Sequence, residues 1–205
     1  MTSWGHVAMA SAIESHSPLE LLSDELAATS GAATIKELLH IGKINLRGNP
    51  SSDVFSSAIS SALCCNLPIV PNTFTQAGGL SVLWLGPDEW LIVLGPEHLN
   101  DSRTLEARLR RTLAGQGTSI VDVSDSRTVI ELVGPKARNV LMKGCSLDLH
   151  PRAFKPGQCA QTLLARAPII LQQLAHTPEY RIFVANSFAH YTAKWLCDAA
   201  HEYDI

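Results

Sequence analysis

The sequence predicts an α+β domain: a mixed or antiparallel sheet with helices laid over it. Three observations carry that prediction. Beyond residue 80, a short aliphatic strand, a break and an amphipathic helix follow one another three times, in WLIVLGPEHLNDSRTLEARLRRTL, TVIELVGPKARNVLMKG and YRIFVANSFAHYTAKWLCDAA. Two of the breaks are Gly-Pro steps, where glycine turns the chain and proline is preorganised for a first helical position that needs no N–H. A further Gly-Pro step lies inside LWLGPDEWLIVL, where Gly86, Pro87 and Asp88 supply turn chemistry between two apolar runs, so this stretch reads as an antiparallel hairpin. The units are too unequal for a solenoid.

Residues 1–34 read as an N-terminal arm and 35–205 as a single domain of two similar halves. Within the arm, Ser17 and Pro18 cap a short helix carrying Leu19, Leu21, Leu22 and Leu26, and ATSGAAT is a loop. The stretch IKELLHIGKINLRGNP (35–50) alternates apolar and polar residues and stops at Gly48 and Pro50, which predicts a strand at a sheet edge. Next, SSDVFSSAISSALCC (51–65) places Val54, Ala58, Ile59, Ala62 and Leu63 at helical spacing behind a Ser/Asp cap. Its serines make it weak in isolation, so packing must hold it. In the three repeats the helices carry a Leu105, Leu109, Leu113 stripe, a stop at Gly144, and a face of Phe188, Tyr191, Trp195, Leu196 and Ala199 behind an Asn186 or Ser187 cap.

Composition narrows the function. Of 205 residues, 46% are hydrophobic and 17% charged, which fills a core while leaving a thin charged coat, as in a subunit of a larger assembly. A net charge of -3 without a Lys/Arg block gives no footprint for nucleic acid or an anionic membrane. The first sixteen residues hold no Lys or Arg ahead of an apolar run, and no stretch approaches the roughly 20 apolar residues of a spanning helix, so a cytoplasmic location is expected. Five scattered cysteines predict reduced thiols, with Cys64, Cys65 and Cys197 filling core space.

No reactive motif stands out. There is no phosphate-binding loop for NAD or ATP, since Gly115 and Gly117 in AGQGTS lack the third glycine of a dinucleotide fingerprint. Cys145, His150 and Cys159 do not have the spacing of a compact zinc motif, and no Gly-x-Ser-x-Gly occurs. Asp122 and Asp125 with Arg127 are either a general base with its charge partner or, more simply, a strand-end ion pair. Asp88 and Glu89 read as solvated turn residues. Trp84 and Trp90 leave two readings open, burial in the core or a hot spot against another chain. The thin charged coat favours an interface for at least one of them, so Arg47, Trp84, Pro87, Asp88, Glu89 and Trp90 are candidate interface residues. No catalytic, cofactor-binding or metal-binding residue is assigned.

The blocks INLRGNP (44–50), LPIVPNT (67–73), LWLGPDEWLIVLGP (83–96) and VDVSDSRTVIELVGPKARNVLMKGCSLDLHPRAFKPGQCAQTLLARAPIIL (121–171) together resemble the gamma subunit of heterotetrameric sarcosine oxidase. The resemblance runs from about Ser17 to Glu202. It implies a complex of four different subunits that oxidises sarcosine to glycine, passes electrons through flavins to oxygen with formation of hydrogen peroxide, and yields 5,10-methylenetetrahydrofolate. It further implies that FAD, FMN, NAD, zinc and tetrahydrofolate belong to the partner alpha, beta and delta subunits. The gamma chain would be non-catalytic, with a fold similar to the folate-binding domain of aminomethyltransferases. KGC (143–145) and GQC (157–159) are similar to pieces of the Lys-Gly-Cys-Tyr-x-Gly-Gln-Glu signature of a folate-dependent iron–sulfur maintenance family. The pieces are separated here and lack the tyrosine and glutamate, so no role passes to Cys145. Two alternatives stand beside this reading. One is the gamma subunit of a related N-methyl amino acid oxidoreductase. The other is a stand-alone folate-binding one-carbon module, which would draw its carboxylate and cation from Arg47, Asp88, Glu89 and Arg127.

Overall fold

A computed structural model describes residues 16–29, 31–95 and 102–203. A 3-10 turn at Glu20–Leu22 leads into α1 (Ser23–Ala27), then β1 (Thr34–Leu38), β2 (Lys43–Arg47), α2 (Asp53–Leu63), β3 (Phe74–Ala77), β4 (Leu80–Gly86) and β5 (Glu89–Leu94). The second half runs α3 (Ser102–Thr112), β6 (Ser119–Asp122), β7 (Arg127–Val133), α4 (Ala137–Met142), β8 (Gln158–Leu164), β9 (Ala167–Ala175), β10 (Glu179–Ala185) and α5 (Asn186–Ala200). The strands form two five-stranded sheets, ordered β1-β7-β10-β9-β8 and β3-β4-β5-β2-β6. Among the described residues every strand pairing is antiparallel, one of the two sheet types the sequence predicted.

Strand alternation builds the layers. Val129 of β7 joins Ile170 and Phe183 of its own sheet and Leu83, Leu91 and Val93 of the other in one apolar cluster, so these residues lie between the sheets. Its neighbours Ile130 and Leu132 point the opposite way, into a cluster with Val140, Leu141, Ala193 and Leu196 of α4 and α5. On the second sheet, Ile44, Leu46 and Ile92 meet Phe55, Ile59, Leu105 and Leu109 of α2 and α3. The order through the molecule is therefore helices, sheet, sheet, helices. Leu19, Leu22 and Leu26, from the segment read as an arm, are buried in the first sheet's helix-side cluster, whereas Leu21 points outward.

Several local expectations are corrected. The stretch 35–50 holds two strands in different sheets: β1 is at an edge, but β2 is interior, between β5 and β6. Gly48 and Pro50 follow the last residue of β2 and so place no demand on its neighbours. The crossing between sheets, residues 39–42, turns at His40, whose φ is 56°. In α2 the Ser52 hydroxyl caps the helix by accepting from the Phe55 N–H at 3.3 Å, as predicted. The buried face is Phe55, Ile59 and Leu63, leaving Val54 exposed. In α5 the N-cap position is Ala185 without a side-chain cap, and Asn186 instead binds the Thr128 hydroxyl and the Asp125 carbonyl. The face of α5 against the sheet is Ala189, Thr192, Ala193, Leu196, Ala199 and Ala200, because small residues let a helix lie close to strands; Phe188 and Tyr191 are pushed to the exposed flank. Pro135 precedes Lys136, the N-cap of α4, rather than taking the first helical position, and Pro96 lies outside the described residues. Cys64 is exposed in a left-handed turn rather than filling the core; Cys65 and Cys197 are half-buried against the helix-side clusters.

Candidate functional site

The hairpin expected at 83–94 is present, with Trp84 of β4 opposite Trp90 of β5 and Pro87 and Asp88 at the turn. The register shifts between Trp84 and Gly86, a bulge that increases the local twist. Trp90 is fully buried, 6.0 Å from the Phe55 ring, and its indole N–H donates to the Pro68 carbonyl at 2.8 Å. Its surface and its polar atom are both satisfied inside the chain, so Trp90 leaves the set of candidate interface residues. Trp84 is half-buried against the same cluster and keeps an exposed part.

The polar candidates gather at the hairpin tip. Arg47, the last residue of β2, lies 3.3 Å from Asp88 and 4.0 Å from Glu89, and Asn45 donates to Glu89 at 2.8 Å. The Gly48 N–H donates to the Asp88 carbonyl at 3.1 Å, tying the tip to the end of β2. Arg47 and Asp88 are more than half exposed, so water and salt weaken this pair. Asn45 stands opposite both Leu91 and Val121, and residues opposite one another in a ladder share a face. Leu91 is roofed by the other sheet, but Val121 is 45% exposed, so that roof stops short of β6. The result is an open strip of sheet bearing Asn45, Arg47 and Val121, with Asp88 and Glu89 at its end.

A half-open cleft of about 1280 Å³ lies toward the opposite end of β2. The chain crosses between the sheets there, and the N-terminal ends of α3 and α5 reach it through Ser102, Arg103 and Asn186. Lys43, the first residue of β2, is 3% exposed and donates from Nζ to the Ile41 carbonyl at 2.7 Å. Burial pulls its amine down to about 8, against the opposing pull of Asp125 and Asp122. Burial also works against the ionised Asp122, yet hydrogen bonds from the Ser124 hydroxyl and backbone N–H outweigh it and hold this carboxyl below the usual range. Thus Asp122, Asp125 and Arg127 do come together, around a lysine that the sequence reading passed over. Its signal was a Lys43, Asn45, Arg47 alternation in a strand whose other face is apolar.

The candidates for a folate site do not converge. Arg47, Asp88 and Glu89 sit at one end of β2 and Arg127 in the cleft at the other, separated by about 14 Å of strand at roughly 3.4 Å per residue. Cys159 is a seam residue: its Sγ donates to the Thr73 carbonyl at 3.3 Å, and burial pushes the thiol up to about 12. Cys145 is half-buried and His150 exposed; among the described residues no group of three or more His, Cys, Asp or Glu is placed to hold a metal ion. No described helix is long and apolar enough to cross a membrane.

Residues 47–202 match the protein-family model described as "Sarcosine oxidase, gamma subunit family". The chain belongs to the sarcosine oxidase gamma subunit family. A gamma relative, "Sarcosine oxidase subunit gamma" of Arthrobacter sp, is 36% identical over 193 residues, covering 91% of this chain and 90% of the relative. In three dimensions this gamma-family chain is similar to a chain of the heterotetrameric sarcosine oxidase from Corynebacterium sp. U-96 in complex with pyrrole 2-carboxylate, at TM-score 0.83 and 32% identity, covering 93% of this chain and 97% of that one. The glycine cleavage system aminomethyltransferase T from Bartonella henselae is similar at TM-score 0.60 and 18% identity over 85% of this chain and 48% of that one. This last likeness shows a shared fold, the one expected from the sequence.

Proposed function

We propose that this gamma-family chain is a non-catalytic subunit of a cytoplasmic heterotetrameric sarcosine oxidase, and that its work is assembly. The observation that carries the reading is the near-complete mutual coverage with a chain of the Corynebacterium complex at TM-score 0.83. In this reading the alpha, beta and delta partners hold FAD, FMN, NAD, zinc and tetrahydrofolate. Together they oxidise sarcosine to glycine, forming hydrogen peroxide and 5,10-methylenetetrahydrofolate. Residues 1–34 act as an arm on the 35–205 domain, secured at Leu19, Leu22 and Leu26. The partner-facing surface is Trp84, Pro87, Asp88, Glu89 and Arg47, joined to the open strip at Val121. The separation of Arg47, Asp88 and Glu89 from Arg127 counts against the folate-module alternative.

Co-expression of this chain with its three partners is the test. The expected outcome is one complex that turns over sarcosine, with the chain poorly soluble when made alone, since obligate interfaces resemble a divided core. A chain that is monodisperse alone and never co-purifies, or that oxidises sarcosine by itself, overturns the proposal.

A further inference from the structure

The cleft at the start of β2 holds a nucleophile that assembly does not use. We propose that it is a carbonyl-capture site, in which the Lys43 amine adds to small aldehydes to form an imine while Asp122 and Asp125 carry the protons. Three features support this. The side chain is buried in the wall of an open-mouthed cleft, where an amine is desolvated and solutes still enter. Among the described residues its Nζ donates to the Ile41 carbonyl and makes no ion pair, so no carboxylate in contact fixes the ammonium form. Asp122, at the end of β6, and Asp125, in the turn that follows it, line the same cleft.

The chemistry balances without an added redox partner. The Nζ lone pair attacks the carbonyl carbon, the C=O pair moves to oxygen, and that oxygen takes a proton as nitrogen gives one up. The carbinolamine hydroxyl then leaves as water on a proton relayed from solvent through the cleft carboxylates, nitrogen closes the C=N bond, and the remaining N–H proton returns by the same route to leave the imine. An amine and an aldehyde become an imine and water. The charged and titratable groups that line the cleft with the amine are His16 and Glu20 from the N-terminal segment, Lys36, Glu37 and His40 from β1 and the turn after it, Arg103 from α3, Asp122 at the end of β6, Asp125 beyond it and Arg127 at the start of β7. The site stands on the cleft alone; only the choice of formaldehyde as its natural aldehyde rests on the proposed function, because oxidation of an N-methyl amine gives an iminium that water hydrolyses to formaldehyde.

The test is reductive methylation of the chain within the co-purified complex by formaldehyde and cyanoborohydride, with each lysine followed by mass spectrometry across pH. Lys43 is expected to react on the order of tenfold faster than exposed Lys36 and Lys194 at neutral pH, because burial favours the neutral, nucleophilic form of its amine. Its rate should be half-maximal near pH 8, and Asp125→Asn should move that midpoint down by removing a charge that favours the ammonium. A Lys43 that stays unmodified when Lys36 and Lys194 are saturated, or whose rate shows no midpoint near pH 8, overturns the site. None of these outcomes touches sarcosine turnover by the complex, so the site and the assembly role fail separately.

Discussion

Trp90 and Lys43 are buried on the same sheet with opposite consequences. Trp90 brings one polar atom inside, and the Pro68 carbonyl meets it. Trp90→Ala removes the ring and orphans that carbonyl, so a loss of about 3–5 kcal/mol is expected in urea unfolding. Trp84→Ala, at a half-buried position, should cost roughly half as much or less. Lys43 brings in a charge whose contact partner is the neutral Ile41 carbonyl rather than a carboxylate. Its folded pKa of about 8 lies below the unfolded value, so between pH 8 and roughly 10.5 the unfolded chain binds more protons. Stability therefore rises with pH across that window, and below pH 8 the full penalty, up to roughly 3 kcal/mol, applies. Lys43→Met should flatten the rise in an unfolding series from pH 7 to 10; an unchanged slope would assign it to another group. The sequence posed the tryptophan question correctly but could not answer it, because Trp84 and Trp90 share a face and differ only in how far Phe55 and residues 67–68 reach over each.

At the level of elements, legibility followed how local the cause was. The hairpin, the Ser52 cap and the three strand–helix repeats rest on residues adjacent in sequence, and all appear where predicted. The division of 35–50 into two strands depends on which sheet each half joins, information held by residues about 50 to 100 positions away that pair with them. The face of α5 is half legible for a related reason: Leu196 and Ala199 are buried and Trp195 packs against the cluster as expected, but helical spacing also ranks Phe188 and Tyr191 as buried where contact with a sheet selects alanines. One junction needs a glycine outright. Gly134, between β7 and α4, has φ 133°, and a Cβ there would lie 2.6 Å from the Ala32 carbonyl oxygen. Its N–H also donates to the Pro178 carbonyl at 3.0 Å. Gly134→Ala must strain the backbone and displace residues 31–32, so a loss of about 2–3 kcal/mol is expected, seen as a lower urea midpoint.

Across the whole molecule, two sheets of similar size stack without fully covering one another. The first sheet roofs Leu83, Leu91 and Val93 but leaves Val121, on the short edge strand β6, 45% exposed. An apolar side chain on an uncovered sheet face, beside the Arg47, Asp88 and Glu89 group, fits a surface that becomes interior in a complex. Residues on such a surface contribute less to the isolated fold than core residues do, since Val121 leaves nearly half its surface in water and the Arg47–Asp88 pair is solvated. Val121→Asp and Arg47→Glu should therefore leave the unfolding midpoint within about 0.5 kcal/mol of the parent, yet lower partner recovery in co-purification by about tenfold or more. Ile69→Asp provides the contrast, because Ile69 is 72% exposed but lies in the loop before β3, away from the strip. If Ile69→Asp breaks the complex while Val121→Asp does not, the partner sits over the 67–73 loop and the open strip faces water.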